Sequence, residues 1–379
     1  MIYFVFLCIS LVSLMAMKKT KMVFGGLSAT VKFGELITIC LFTLLTAARA
    51  FSVGTDTLNY VHSANSIQRD YSSLLSIFNG YYIEPGYGAL EYICMKWLGD
   101  VHFIFLIEGL VLLIGVFSFI HNFEGKVSIP LSFLVFFSFY FSSSLNISRQ
   151  YLSVGIGLFA AKYLLENKKI PYFVCCAIAS LFHSTGLLLF FSYFVWIYLF
   201  NSERKASFTK KVLVITIGMM ILCILIRPIT MLLISLGLIP AKYINFLHDS
   251  EATSTFSYII LSNAPLLLLL AFLKKRLLEY DERNRIVITL YLMGFYVSML
   301  NAVFGNVGRL AVFWSSWQII LYPECCELLC LNQKSPAVRV VTRTLFVLFF
   351  VAYWYYCTIY REFCDVSPYK SDVFGWMNW

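Results

Sequence analysis

Long apolar stretches alternate with short polar segments along the chain. Most of them approach the roughly 20 residues that a helix needs to cross about 30 Å of hydrocarbon. Backbone polar groups in lipid must be satisfied within the segment, so helices are expected. The pattern predicts an all-α membrane bundle of about 12 spanning helices. Their expected positions are about 1–17, 33–50, 102–121, 128–144, 147–164, 170–182, 185–200, 211–226, 256–273, 285–303, 308–325 and 340–358.

Three stretches need separate treatment. Residues 86–98 are too short for a span and carry two charges, so we expect an interfacial or re-entrant helix there. Residues 228–239 lie between two prolines and form a second re-entrant candidate. Residues 170–200 are long enough for a single span, but charge placement favours two short helices that meet near His183.

Composition agrees with a polytopic membrane protein. The 379-residue chain is 60% hydrophobic and 13% charged, whereas soluble chains carry about 25% charged residues. We expect a single integral-membrane domain over 1–379, with outer-side polar segments at about 51–101 and 227–255. The net charge of +9 does not indicate nucleic acid, because positive charge in short loops orients such proteins in the membrane.

Clustering of basic residues predicts which loops face the cytoplasm. Residues 1–17 have no basic stretch before them and several lysines after them, which favours a retained first span with its N-terminus outside. Alternating sides from there puts every Lys/Arg cluster in the cytoplasm and only scattered basic residues outside. The clusters are Lys18/Lys19/Lys21/Lys32, Lys162/Lys168/Lys169, Arg204/Lys205/Lys210/Lys211, Lys274/Lys275/Arg276/Arg283/Arg285 and Lys334/Arg339/Arg343.

Charged and polar side chains from separate segments gather on the predicted outer side. An arginine inside a span costs roughly 2.5–3.5 kcal/mol and usually has a partner or lines a wet cavity. Several at one level suggest a pocket for a large anionic group, since the guanidinium fork suits phosphate. The alternative is that they extend to lipid headgroups. The set is Arg49, Asp56, Glu84, Arg149, His183, Arg227 and Arg309.

Helix ends and turns supply further candidates. Asn146 or Ser148 is expected to cap the helix whose first turn carries Arg149 and Gln150. Glu84 precedes a Pro-Gly turn that fixes its carboxylate, and either it or Asp56 would serve as a general base.

The remaining polar candidates each have two interpretations. His183 either contacts phosphate, transfers a proton, or simply hydrogen-bonds a neighbour. Tyr60 and Tyr87 either stack on sugars or belong to the interfacial aromatic belt. Glu108, inside the third span, is expected to be protonated or paired. Cysteines near 325–330 lack His or acidic partners at ligand spacing, which favours membrane-embedded thiols over a metal site.

Taken together and in this order, the motifs resemble the EpsG-like group of Wzy-type polysaccharide polymerases. The resemblance extends from residue 49 to residue 370, and Thr57 departs from the tyrosine that the family often carries there. The matching motifs are Arg49 with Gly54-Thr55-Asp56-x3-Tyr60, Glu84-Pro85-Gly86-Tyr87, Asn146-x2-Arg149-Gln150, Phe182-His183-Ser184, Arg309 and Pro368-Tyr369-Lys370.

The resemblance implies a multi-pass glycosyltransferase of the bacterial inner membrane. Such proteins transfer oligosaccharide repeats en bloc from undecaprenyl pyrophosphate at the outer, periplasmic face, building O-antigen, capsule or exopolysaccharide. No cofactor and no catalytic metal are implied, and the partners would be the lipid-linked glycan, membrane lipid, a chain-length regulator and a flippase. The implied roles are catalysis for Asp56, Glu84 and His183, pyrophosphate binding for Arg49, Arg149, Arg227 and Arg309, and sugar binding for Tyr60, Tyr87 and Gln150.

Two other functions compete with this interpretation. A lipid-linked oligosaccharide flippase would have a similar number of spans, but its basic residues would line a cavity open to both sides. A membrane O-acyltransferase would need an embedded histidine with access to the cytoplasm, whereas His183 lies on the predicted outer side.

Overall fold

The computed structural model describes residues 2–16, 19–24, 27–80, 84–200, 207–236, 252–302, 307–331 and 333–375. The protein is nearly all-helical, with one antiparallel hairpin formed by β1 (Lys19–Phe24) and β2 (Leu27–Lys32). The prediction of an all-α fold is therefore confirmed apart from this hairpin.

The chain divides into two compact units. Unit 1 comprises Met1–Leu187 and Asn332–Trp379, and unit 2 comprises Leu188–Leu331. The single integral-membrane domain expected over 1–379 stays a prediction.

Among the described residues, unit 1 contains eleven α-helices, and two of them continue into π-helical turns at Cys94–Leu98 and Tyr355–Tyr360. A third π-helical turn, Phe137–Phe141, joins α7 to α8, and a 3₁₀ turn, Ser184–Leu187, follows α10. The helices are α1 (Ile2–Met15), α2 (Phe33–Ala47), α3 (Thr57–Asp70), α4 (Leu74–Gly80), α5 (Pro85–Ile93), α6 (His102–His121), α7 (Ile129–Phe136), α8 (Ser142–Asn146), α9 (Ser148–Leu165), α10 (Lys169–Phe182) and α17 (Pro336–Trp354).

Unit 2 carries the remaining helices. They are α11 (Leu188–Phe200), α12 (Phe208–Ser235), α13 (Ala252–Tyr280), α14 (Asn284–Met299), α15 (Val312–Ser315) and α16 (Gln318–Leu331). Helix α12 runs through Pro228, so the prediction of a separate segment is wrong for residues 228–235, and 237–239 lie outside the described residues. A proline is tolerated there because neighbouring groups in a membrane helix can satisfy the carbonyl that it frees.

Helices occupy the predicted spans, but their number as membrane crossings is not confirmed. Three are long and apolar enough by length and composition among the described residues: His102–His121, Ile129–Asn146 and Pro336–Tyr360. Four shorter apolar helices accompany them: Ile2–Met15, Phe33–Ala47, Lys169–Phe182 and Ser184–Phe200. The short helix expected at 86–98 is present as α5 and its π-helical turn, and much of the outer segment expected at 51–101 is helical.

Helices α2 and α6 run antiparallel and are joined by hydrogen bonds near both ends. His102 Nδ1 lies 2.7 Å from the carbonyl oxygen of Ala47, and His121 Nε2 lies 2.9 Å from Glu35 Oε2. The 20 residues of α6 span about 30 Å, which is the thickness of the hydrocarbon core. The two ends of this pair are therefore far enough apart to face opposite sides of a membrane.

Helices α6 and α9 cross closely at a pair of glycines. A Cβ atom placed on Gly115 would collide with the carbonyl oxygen of Gly155, and one on Gly155 would lie 2.7 Å from Leu112 Cα. Only glycine at both positions allows this approach. The crossing brings the first turn of α9, with Arg149, close to the first turns of α6, with Glu108.

Candidate active site

An ion pair at the start of α9 joins three segments of unit 1. Arg149 Nη1 lies 3.2 Å from Glu84 Oε2, and the other carboxylate oxygen of Glu84 accepts a hydrogen bond of 2.8 Å from the Ser184 backbone N–H. The side chains of Arg149 and Glu84 are 23% and 14% exposed. We call Glu84, Arg149 and Ser184 the exposed cluster, because Ser184 is exposed and the other two side chains are partly exposed.

Two opposing effects set the charge state of Glu84. Burial raises the pKa of its carboxyl, but the Ser184 N–H and the Arg149 guanidinium outweigh burial and hold the pKa below its usual value. Glu84 is therefore ionised at neutral pH and is a weak base while this arrangement lasts.

A second group of polar side chains lies deeper in unit 1. Arg49 is fully buried: its Nη1 donates to the Thr46 carbonyl at 2.9 Å, and its Nη2 lies 4.0 Å from Glu108 Oε2. Glu108 accepts a 3.1 Å hydrogen bond from the Tyr87 hydroxyl. Glu108 was expected to be protonated or paired inside the bundle, and it lies against Arg49 and Tyr87. Arg49, Tyr87 and Glu108 form what we call the buried cluster.

Tyr87 connects the two clusters. Its ring lies 5.5 Å from the Arg149 guanidinium carbon, within the range of a cation–π interaction. Phe105 supports the other arginine in the same way, at 3.8 Å from the guanidinium carbon of Arg49. Charged and aromatic side chains thus connect the buried Arg49 with the partly exposed Arg149.

The Asn146 side chain does not cap α9. Its Oδ1 accepts hydrogen bonds from the Thr55 hydroxyl at 3.0 Å and from the Asp56 backbone N–H at 2.7 Å. The residue before α9 is Ile147, and no side chain caps the helix. The capping prediction was wrong because the amide is used to fix the Gly54-Thr55-Asp56 turn beside the start of α9. Asp56 is partly buried there.

His183 lies in the bend between α10 and the following 3₁₀ turn, as predicted. Its Nδ1 lies 2.6 Å from the Thr185 hydroxyl and accepts a hydrogen bond from the Thr185 backbone N–H at 3.3 Å. Because an acceptor nitrogen carries no proton, this geometry assigns the proton to Nε2. The next residue, Ser184, supplies the backbone donor of the exposed cluster.

The C-terminal segment fixes the chain around Arg49 and Asp56. Ala50 N–H donates to the Lys370 carbonyl at 2.8 Å, and the Tyr369 hydroxyl donates to the Leu45 carbonyl at 2.9 Å. Ser371 Oγ donates to the Ala48 carbonyl at 2.6 Å. Farther along, the backbone N–H groups of Gly54 and Thr55 donate to carbonyls of residues 364–365. The first and the last of the sequence motifs, near Arg49 and at Pro368-Tyr369-Lys370, are therefore in contact.

The other predicted site residues belong to neither cluster. Tyr60 is partly buried with its ring centroid 6.2 Å from that of Tyr87, and Gln150 is buried. Arg227 lies in α12 and Arg309 is exposed on a short 3₁₀ turn, Val307–Ala311. Both belong to unit 2, so their convergence with Arg149 stays a prediction.

A family model independently covers this set of motifs. The model of the EpsG family matches residues 35–371, most of the chain. The chain belongs to the EpsG family. The family is one of EpsG-like polysaccharide polymerases, so this is a polysaccharide-polymerase-like membrane protein of polysaccharide biosynthesis. No curated protein and no solved structure matches it.

Within this EpsG-family chain, sequence reasoning missed several contributors to the site. The Ser184 backbone N–H carries no side-chain signal, and the pairing of Glu108 with Arg49 could not be read from either residue alone. The costly position of Glu108 inside an apolar run was the available signal. Among the residues that the structure describes, no group of three or more His, Cys, Asp or Glu side chains could hold a metal ion.

Proposed function

We propose that this protein is a polymerase of the bacterial inner membrane that transfers undecaprenyl-pyrophosphate-linked oligosaccharide repeats en bloc at the outer face. The observation that supports this most is the exposed cluster, in which a partly exposed arginine is held beside a carboxylate. Arg149 Nη1 faces Glu84 at 3.2 Å and is a donor that suits a phosphate oxygen. EpsG-family membership supplies the reaction class.

In the proposed reaction, an acceptor sugar hydroxyl on one lipid-linked unit attacks the anomeric carbon of the growing chain on another. A carbon–oxygen bond forms there as the bond from that carbon to the diphosphate breaks. The electron pair leaves with undecaprenyl diphosphate, and the hydroxyl proton passes to a carboxylate. The main requirement is stabilisation of the departing negative charge, which a fixed guanidinium provides.

The proposed roles follow from position. Arg149 binds the diphosphate directly, and Glu84 or Asp56 accepts the proton. Arg227 and Arg309 remain proposed diphosphate ligands, and His183 Nε2–H is a proposed donor to the leaving group. Arg49 is enclosed by protein and contributes by supporting the site from beneath, through Glu108 and Tyr87.

Glycan electrophoresis of cells carrying Arg149→Ala tests the proposal. We expect normal amounts of protein in the membrane but a glycan ladder that collapses to single repeats displayed outside. Arg69→Ala is the matched control, because it removes an equal charge from an exposed pair with Asp70 on α3. A full ladder with Arg149→Ala would remove Arg149 from the reaction.

The same experiment separates a polymerase from a lipid-linked oligosaccharide flippase. Cells that lack a polymerase still display single repeats outside. Cells that lack a flippase accumulate the lipid-linked repeat facing the cytoplasm. Deletion of this gene should give the first result, and the second would assign transport instead.

A further inference from the structure

We infer that the Glu84 carboxylate occupies an oxyanion site formed by Arg149 and the Ser184 N–H, and that a phosphate group of the lipid-linked donor displaces it. The inference rests on the proposed function and goes further, because it identifies the groups that bind one phosphate and the event that frees the base.

The geometry of the carboxylate is that of a bound oxyanion. One oxygen faces Arg149 Nη1 at 3.2 Å, and the other faces the Ser184 N–H at 2.8 Å. A phosphate group presents two oxygens in a comparable arrangement, and both donors suit it. The buried Nε atom of Arg149 has no hydrogen-bond partner within the described ranges, so Glu84 does not use every donor of this guanidinium.

The carboxylate can leave without disrupting the core. Both side chains of the pair are partly exposed, and Glu84 directly precedes α5. Arg149 stays in place because the Tyr87 ring lies beneath its guanidinium and Tyr87 is held by Glu108. A diphosphate, with more charge than a carboxylate, therefore competes for donors that are already positioned.

Displacement changes what Glu84 can do. While it is bound, Arg149 and the Ser184 N–H lower the pKa of its carboxyl. Once both donors face phosphate, these effects end and the neighbouring diphosphate disfavours ionisation, so the carboxylate becomes a stronger base. It then takes the proton of the attacking hydroxyl as the oxygen–carbon bond forms and the carbon–diphosphate oxygen bond breaks. Donor binding is thereby coupled to activation of the acceptor.

Binding and turnover should change in opposite directions when Glu84 is neutralised. With the purified full chain, we expect Glu84→Gln to bind farnesyl diphosphate about tenfold more tightly than the unsubstituted protein, since a neutral side chain competes less well for Arg149. The same variant should lose polymerisation. Glu84→Ala should bind as tightly, and Arg149→Ala should lose binding.

Three further variants complete the test. Asp70→Asn removes one carboxylate from an exposed pair and should leave the affinity unchanged. Ser184→Pro removes the backbone donor together with the Ser184 hydroxyl, and it should weaken diphosphate binding several-fold, whereas Ser184→Ala, which removes the hydroxyl alone, should not. Proline suits position 184, because this is the first residue of a 3₁₀ turn and the preceding His183 is extended. This variant tests the site even where a Glu84 variant fails to fold.

The outcomes are distinct. Unchanged or weaker diphosphate binding by a folded Glu84→Gln, or unchanged binding by Ser184→Pro, overturns the inference. Competition by phosphatidylglycerol as strong as that of farnesyl diphosphate would assign the site to a lipid headgroup and would also overturn it. Failure of the unsubstituted chain to form a glycan ladder would overturn the proposed function, whatever the binding results are.

Discussion

The Glu108 carboxylate lies in one of the most apolar helices of the chain, and its charge is balanced by groups from other segments. Arg49 Nη2 lies 4.0 Å from Glu108 Oε2, and the Tyr87 hydroxyl donates a hydrogen bond to the Glu108 carboxylate. Glu108→Ala leaves the Arg49 guanidinium buried without its counter-charge. We expect the free energy of unfolding to fall by about 3–5 kcal/mol, the cost of breaking a buried pair from one side.

A double-mutant cycle checks this pairing by thermal unfolding of purified protein. Arg49→Ala combined with Glu108→Ala should destabilise by clearly less than the sum of the single changes, because no unpaired charge remains. Tyr87→Phe, which removes one hydrogen bond and keeps the ring under Arg149, should cost about 1 kcal/mol. Additive effects of the two alanine substitutions would show that Arg49 and Glu108 do not stabilise each other.

The ion pair of Glu84 gives the protein a defined pH dependence. The folded state holds the pKa of this carboxyl below its unfolded value, which is about 4.3. The pair's contribution is therefore fully present above that pH and disappears as the pH falls through the lowered pKa. The difference in melting temperature between the unsubstituted chain and Glu84→Gln should be constant near neutrality and shrink below about pH 4. A difference that grows on acidification contradicts this assignment.

At the scale of helices, the crossing of α6 and α9 sets the distance between the two clusters. Gly155→Ala would place a Cβ atom 2.7 Å from Leu112 Cα, so the helices must separate. We expect lower stability and shorter glycan chains, because Arg149 moves relative to Tyr87 and Glu108. Gly218→Ala on α12 is the control, since its Cβ atom meets nothing within 4 Å and alanine favours helix. Equal glycan ladders for the two variants would show that this helix crossing does not affect polymerisation.

The sequence alone predicted most of the helices, because the length of an apolar stretch indicates a segment buried in lipid or protein. The boundary at His183 was predicted correctly because charge placement on either side excludes one long span. The continuation of α12 through Pro228 was missed, since a proline marks a helix end in water but not in a packed or lipid environment. Local sequence patterns therefore predict where helices lie, but not where a helix accommodates a proline.

The site was predictable only in part, for a related reason. Arg149, Glu84 and Ser184 belong to three segments, and the sequence indicated them as a set without showing which atoms meet. Asn146 looked like a helix cap, yet its amide is used by a distant turn. Main-chain hydrogen bonds from the C-terminal segment, such as Ala50 to Lys370, have no side-chain signature at all. Contacts between distant segments require the fold.

On the scale of the whole molecule, the contacts at the two ends of the α2–α6 pair and the charge pattern together predict a topology. The exposed cluster belongs to the end of the α2–α6 pair where His102 contacts Ala47. The opposite end carries β2 and the Lys32 side chain, which pairs with Glu124 at 2.7 Å. Because lysine-rich loops stay in the cytoplasm, the exposed cluster is expected outside.

Labelling with a membrane-impermeant thiol reagent tests that orientation at two positions flanking α6. Lys96→Cys, in the π-helical turn that precedes α6, should react in intact spheroplasts, because this end of α6 is expected on the outer side. Lys126→Cys lies in the turn after His121 and should react only after the membrane is opened. The unsubstituted chain gives the background from its own cysteines. The reverse pattern would put Arg149 on the cytoplasmic side, where lipid-linked repeats exported for polymerisation are not available, and a polymerase of exported repeats could not use this cluster.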